Sequence, residues 1–343
     1  MKEFGSDFHY IQDLKESDTE YLLPSDASFY VNGRQAIQDL IRLKKWKRIW
    51  MPEYFCYEII NSIKKTGIKV EYYFDNPSIN ENESISKIRF LDGDVLFRIN
   101  YFGLRNKRNN SNITVPVIED HSHDLIGEWA VNSNADWCIA SLRKSLPIAD
   151  GGILWSPKNH ELPKIVESTN ESKTTAALRY SAMKDKTNYL QGFPIPKDKF
   201  LNLFNKTEDR FETLPMSGIS RDSYDIVSKM DIKAWYEKKK ENWLVLSQIS
   251  HPKVELLQPE HSDFYSFSFV LKFNNKKNRD LVRIELINKN VYPSILWNIP
   301  NTQSSEIVEF GDTCLSIHCD GRYNEDDIRV LKKLIIESFS AIS

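Results

Sequence analysis

The sequence predicts an α/β fold: a mostly parallel sheet covered by helices on both faces, followed by a smaller α+β lobe. Three observations carry this. Between residues 33 and 155 short apolar runs of strand character alternate with helical stripes. The connections between those runs cannot be hairpins, which leaves crossover connections and parallel pairing. Near residue 250 the pattern changes to a second, smaller set of strands and helices, which divides the chain into a large domain, 1–249, and a small one, 250–343.

The elements follow in order. After NGR, the segment QAIQDLIRLKKW puts Ile37, Leu40, Ile41 and Leu43 on one helical stripe, and RIWMP is a short strand ended by proline. YEIINSIKK reads as a helix, and IKVEYYF, DVLFRIN, TVPVIED, DWCIASL and GGILWS as strands. Residues 156–220 carry a weaker pattern, with one helical candidate at AALRYSAMKDKTNYL, and a long helix is expected over roughly 222–248. In the small domain FYSFSFVLKF and CLSIHCD are strands and NRDLVRIELINK a helix. The last helix, NEDDIRVLKKLIIESFSA, is capped by Asn324 with acids in its first turn.

Composition excludes several classes of function. With 343 residues, 41% of them hydrophobic, the chain can fill a large core. Its 46 basic and 48 acidic residues give a net charge of −2, so nothing favours nucleic acid as a partner. Lysine runs such as RLKKWK and EKKKEN fall on helical patterns and read as solvated faces. The four cysteines, Cys56, Cys138, Cys314 and Cys319, show neither CxxC spacing nor a disulfide framework. No apolar run approaches a signal h-region or a membrane span, so a soluble cytoplasmic protein with no membrane contact is expected.

Chemistry should gather beyond the carboxyl ends of the parallel strands. VIED ends in Glu119 and Asp120, and DWCIASL is followed by Ser141 and Lys144, so an acid and a lysine reach one edge if the two strands are neighbours. A plain ion pair is one reading. A Schiff base is the other: a lysine partly unprotonated by burial and by a neighbouring cation such as Arg143 can condense with an aldehyde. Pyridoxal 5'-phosphate fits the surrounding groups, since it needs a carboxylate at its pyridinium nitrogen, donors for its phosphate and a flat side chain over its ring. Asp120 offers the first and Ser141 one of the second. Gly33, Arg34 and Gln35 open a helix, where free N–H groups favour phosphate. Tyr54, Phe55 and Tyr57 follow a strand and are all open as the stacking ring. Gly151 and Gly152 can place backbone close to the ligand.

The order of these pieces resembles the sugar aminotransferases of the DegT/DnrJ/EryC1/StrS family. It runs Gly-Arg-x-Ala-Ile, Met-Pro-x-Tyr-x-Cys, Tyr-Phe-Gly at 101–103, Ile-Glu-Asp-x-Ser-His at 118–123, and Ser-x-x-Lys-Ser-x-x-x-x-Asp-Gly-Gly at 141–152. With NVYPSILWNIP and LSIHCDGRYNEDDIRVL the resemblance extends from about residue 28 to 340. It implies the type I fold of pyridoxal-phosphate enzymes, with a mostly parallel seven-stranded sheet in the large domain, and a homodimer. It implies Lys144 as the Schiff-base lysine, Asp120 as partner of the pyridine nitrogen and His123 beside the ring hydroxyl. Gly33, Arg34 and Gln35 fall at the phosphate turn, and Phe55, or Tyr54, in the neighbourhood of the stacking ring. The reaction implied moves an amino group from a small-molecule donor, glutamate by analogy, to a keto-sugar acceptor that is nucleotide-linked, in amino-sugar or surface-polysaccharide biosynthesis. Two departures stand out. Two residues, not the commoner four, separate Ser141 from Lys144, and PMSGISRDSY replaces the segment a neighbouring subunit normally lends to the phosphate, with Ser217 or Ser220 as substitutes.

Other readings compete. Another pyridoxal-phosphate reaction, such as sugar dehydration, fits the same residues, as does a non-catalytic binding protein that keeps the fold. His121 and His123 with Asp120 and Asp124, or His318, Cys319 and Asp320, resemble metal ligands, but neither group has a matching pair at accepted spacing, and no metal is expected. No nucleophile elbow, P-loop or dinucleotide fingerprint is present. Trp297 reads either as core or as a wall of the substrate pocket.

Overall fold

The computed structural model describes residues 2–17, 23–164 and 167–342. A two-residue strand, β1 (Phe4–Gly5), comes first and joins a partner far along the chain. Strands β2 (Ser28–Tyr30), β3 (Arg48–Pro52), β4 (Lys69–Tyr73), β5 (Asp94–Ile99), β6 (Val117–Asp120), β7 (Trp137–Ala140) and β8 (Gly152–Trp155) form one seven-stranded sheet. Their order is β2-β8-β7-β6-β5-β3-β4. β7, β6, β5, β3 and β4 pair in parallel, and β8 runs antiparallel to both its neighbours, β2 and β7. Every residue of β5, β6, β7 and β8 is buried. That is why these segments read as continuous apolar runs rather than as alternation.

Helices α1 (Gly33–Lys44), α2 (Tyr57–Lys64), α3 (Asn82–Ser86) and α4 (Glu128–Val131) lie in the connections before β7, and α5 (Leu142–Ser145) lies between β7 and β8, which are antiparallel neighbours rather than the parallel pair expected. α1 starts where Asn32 Oδ1 accepts a hydrogen bond from Gln35 N at 2.9 Å, and it buries Ile37, Leu40 and Ile41. Beyond the sheet lie α6 (Asn170–Leu190) and α7 (Lys197–Thr213), which pack on each other. The single long helix expected over 222–248 is two helices, α8 (Arg221–Lys229) and α9 (Ile232–Leu246). The break has a local cause. Asp231 caps α9 by accepting from Ala234 N, while its own N–H and the Lys229 carbonyl bond to the backbone of Lys15 and Ser17.

The chain beyond α9 builds a second, antiparallel sheet from β9 (Val254–Leu256), β10 (Phe269–Phe273) and, after β11 (Val291–Tyr292), β12 (Cys314–Ile317), in the order β12-β10-β9. It carries α10 (Lys276–Asn288), α11 (Ser305–Thr313) and α12 (Glu325–Ser338). α12 has a full capping box between Asn324 and Asp327. β1 pairs in parallel with β11, matching Phe4 to Val291. One hydrophobic cluster runs from Leu40 of α1 through Phe97 of β5 to Leu271, Leu315 and Ile328, so the two sheets share a core. No helix among the described residues is long and apolar enough to cross a membrane.

The sheet closes against α1 through a glycine. A Cβ on Gly152 would sit 2.4 Å from the Asn32 carbonyl oxygen and 2.4 Å from Gly33 N. The close approach expected between the Gly151-Gly152 backbone and a ligand is at Gly152 an approach to the protein's own turn that starts α1. Gly152→Ala should cost about 1–3 kcal/mol of unfolding free energy, read as a lower urea midpoint at unchanged slope.

Candidate active site

Asp120 ends β6, flanked in register by Ile99 of β5 and Ile139 of β7. Its Oδ1 accepts from Ser122 N at 2.8 Å, and Oδ2 has no hydrogen bond among the described residues. The loop that follows is tied to α5: Ser141 N donates to Ser122 Oγ and Ser145 Oγ donates to the Ser122 carbonyl, each at 2.8 Å. These bonds fix Lys144, on α5, relative to Asp120. Lys144 is half-buried, and Asp120 does not form an ion pair with it. The contact made by its Nζ is with the face of Trp297, 5.9 Å from the ring centroid.

His123 stands between these two residues and the second sheet. Its ring is nearly parallel to those of Phe267, Trp297 and Phe102, at centroid distances of 4.3, 5.8 and 5.5 Å. Phe102 has φ +54°, a conformation rare outside glycine, and in it donates its N–H to His123 Nδ1 at 2.9 Å. An acceptor Nδ1 places the imidazole proton on Nε2. Burial, reinforced by the positive charges of Lys144 and Lys239, holds His123 well below the usual histidine range, so the ring is neutral.

Lys144, His123, Trp297 and Phe267 line a cavity of about 570 Å³. Ser6, Asp7 and Phe8 of the N-terminal segment close one side, and Arg143, Arg179 and Phe204 another. Gly33 abuts Ser141, since an added Cβ would lie 3.3 Å from the Ser141 Cβ, so the start of α1 and the start of α5 meet. Gln35 serves that junction: its amide donates to the Leu214 and Pro215 carbonyls and accepts from Ser217 N. Arg34 points to Glu212, 3.8 Å away. Neither Tyr54 nor Phe55 lines the cavity. Tyr54 is buried against Tyr101, Trp297 and Phe310 with its hydroxyl on the Leu296 carbonyl, and Phe55 packs on Phe97 and Trp297. Tyr57 does line it, and stacks on Tyr72. Ser217 bonds Thr169 N and Ser172, and Ser220 bonds Asp150, so both hydroxyls hold helix starts together.

His121 turns away from His123. It pairs with Glu119 at 3.2 Å beside Cys138, and Glu119 also takes hydrogen bonds from Asn110 and Ser133. Glu119 and Asp120 are consecutive strand residues and so face opposite sides of β6. Sequence reasoning missed Asp7, Arg179 and Phe267. Arg179 and Lys186, two helical turns apart on one helical candidate, are both buried, but that candidate also carries Ser181, Lys184, Asp185 and Asn188, so no apolar stripe singled them out.

No protein-family model and no curated protein matches the chain. Solved structures do. PseC from Helicobacter pylori, an aminotransferase involved in the biosynthesis of pseudoaminic acid, superposes with a TM-score of 0.63 at 12% identity, covering 99% of this chain and 100% of that one. NtdA from Bacillus subtilis, with bound cofactor PMP, gives 0.63 at 12% identity, covering 92% and 73%. A DegT DnrJ EryC1 StrS aminotransferase from Brucella abortus gives 0.57 at 13% identity, covering 90% and 84%. The chain has the fold of these aminotransferases.

A histidine kept neutral by the fold charges in the unfolded chain near pH 6.5, so its contribution to stability is lost as pH falls below that value. Between pH 6.5 and 5 the protein should lose about 2 kcal/mol more than His123→Gln does, measured by urea unfolding at each pH.

Proposed function

We propose that the chain is a pyridoxal-phosphate-dependent aminotransferase that moves an amino group from a small amino donor, glutamate by family resemblance, to a nucleotide-linked keto-sugar. The observation that carries the reading is Lys144: a half-buried amine with no counter-ion among the described residues, in one cavity with a neutral buried imidazole. The residues fit the cofactor. Asp120 keeps a carboxylate oxygen at the strand edge with no hydrogen bond among the described residues, and the Gly33 turn and Ser141 meet beside α5. The shared fold of aminotransferases, one of them with bound PMP, supports it.

Bound pyridoxal phosphate would supply an aldehyde for the amino group and a protonated pyridine ring as electron sink. Asp120 would hold the proton on the ring nitrogen through its unused Oδ2. His123 Nε2–H is a neutral donor for the ring oxygen, and its stack with Phe267 and Trp297 keeps it from turning. Ser141 Oγ and the first N–H groups of α1 are the phosphate donors nearest α5. Lys144 Nζ, joined to no carboxylate among the described residues, would take the proton from the donor carbon and pass it to the cofactor, which keeps the amino group. Trp297 and Phe267 exclude water from that transfer. The reading also carries a homodimer and a role in amino-sugar or surface-polysaccharide biosynthesis.

Purified protein mixed with pyridoxal phosphate should develop a visible absorption band that Lys144→Ala lacks. Wild-type protein without the band would end this reading. Lys144→Arg should lower transamination of a nucleotide keto-sugar by roughly 10²–10⁴-fold or more, and near-normal turnover in that variant would remove Lys144 from the role.

A further inference from the structure

Two arginines share the cavity with Lys144. The Arg143 and Arg179 side chains are 17% and 8% exposed, whereas the carboxylates they meet, Glu208 and Asp7, are 40% and 37% exposed. Glu208 is shared: Arg143 Nη2 lies 2.5 Å from Oε1 and Arg179 Nη1 3.3 Å from Oε2. Arg179 Nη2 reaches Asp7 Oδ1 at 2.6 Å. Arg179 Nη1 also donates to Thr207 Oγ1 at 3.2 Å; ring faces cover both guanidiniums, Arg143 over Phe211 at 5.5 Å and Arg179 over Phe204 at 5.2 Å, and Arg143 Nε is buried with no hydrogen-bond partner among the described residues. Burial and then the neighbouring Arg143 push Arg179 below the usual arginine range. Burial would raise the Glu208 carboxyl, but the two guanidiniums outweigh it and hold it at about 2.

The asymmetry sets what can move. A half-exposed glutamate on a flexible stem can leave for water cheaply, but its departure strips Arg143 of its one ion-pair partner among the described residues and Arg179 of one of two, and largely buried guanidiniums then favour another anion. We propose that Arg143 and Arg179 form an oxyanion subsite of the Lys144 cavity, with Glu208 as an internal occupant that an incoming carboxylate or phosphate monoester displaces. The assignment rests on the functional reading in placing the subsite beside the reacting lysine. The oxyanion comes from the cofactor's phosphate or from a substrate carboxylate, and the two sources are separable.

The test is calorimetric titration of wild type, E208Q, R143Q and R179Q with inorganic phosphate and with succinate, each variant checked for folding by circular dichroism. Removing the competing carboxylate in E208Q should tighten at least one anion on the order of tenfold, and each arginine variant should weaken the same anion on the order of tenfold or more. E208Q is a half-exposed substitution, so it tests the exchange even if an arginine variant folds poorly. A parallel titration uses pyridoxal phosphate and pyridoxal. Tightening of pyridoxal phosphate alone in E208Q assigns the site to the cofactor's phosphate, and tightening of succinate alone assigns it to a substrate carboxylate. Equal affinities in all four proteins, or no binding of either anion to any, would overturn the subsite. If the anions respond as expected and no visible band forms with pyridoxal phosphate, the subsite stands and the aminotransferase reading falls.

Discussion

Backbone contact between the Asn32–Gly33 turn and the β7–β8 pair is the constraint on which the rest depends. Gly33 touches Ser141, Gly152 leaves room for the Asn32 carbonyl, and Gly151 N donates to the Val31 carbonyl at 2.8 Å. From the same turn Asn32 Nδ2 reaches the Phe211 carbonyl and Gln35 holds the chain at 214–217. One tight turn thus positions the start of α1, the lysine-bearing α5, and the end of α7 that brings Phe211 over Arg143. Side chains larger than hydrogen at Gly152 would separate all three at once.

At the opposite side of the sheet edge, charge does what backbone contact does there. Glu81 is fully buried and meets Arg98 at 2.6 Å, Arg108 at 3.0 Å and Arg105 at 3.5 Å, while Arg105 also grips Asp75 at 2.6 Å and Arg108 reaches Glu260 at 2.7 Å. Burial raises Asp75 to about 6 despite Arg105. Burial would raise Glu81 as well, but its arginines outweigh that and bring it to about 2. A network of this kind adds little net stability over apolar packing, yet losing one member strands the others. Its effect is to hold the segments after β4 and β5 against residues near the second sheet, and so to fix the floor on which Phe102 meets His123.

Much of this was legible in the sequence, for physical reasons that differ by element. Strands buried on both faces announce themselves as apolar runs, and the acid and lysine that follow β6 and β7 could be placed at one edge by topology alone. The stacking ring could not be settled that way. Tyr54, Phe55 and Tyr57 are near neighbours, and only packing decides that Tyr57 lines the cavity while the first two turn into the core. The region after β8 was weak because α6 buries Ser172, Thr175, Arg179 and Lys186 beside its apolar residues, which erases the helical stripe. The 222–248 pattern hid a break because the cap at Asp231 depends on bonds to Lys15 and Ser17, more than two hundred residues earlier in the chain.

The pairing of Phe4 with Val291 has a consequence for how the protein is made. Gly5 N also donates to the Tyr323 hydroxyl, and Arg322 donates to the Asp7 carbonyl. Residues 6–8, which wall the cavity, are therefore held by partners that are synthesised far later in the chain. The main sheet can assemble while synthesis continues, but residues 4–8 must wait for residues 291 and 322–323 before the pocket is whole. A nascent chain halted before α12 would hold its sheet and its lysine with the pocket still open on one side.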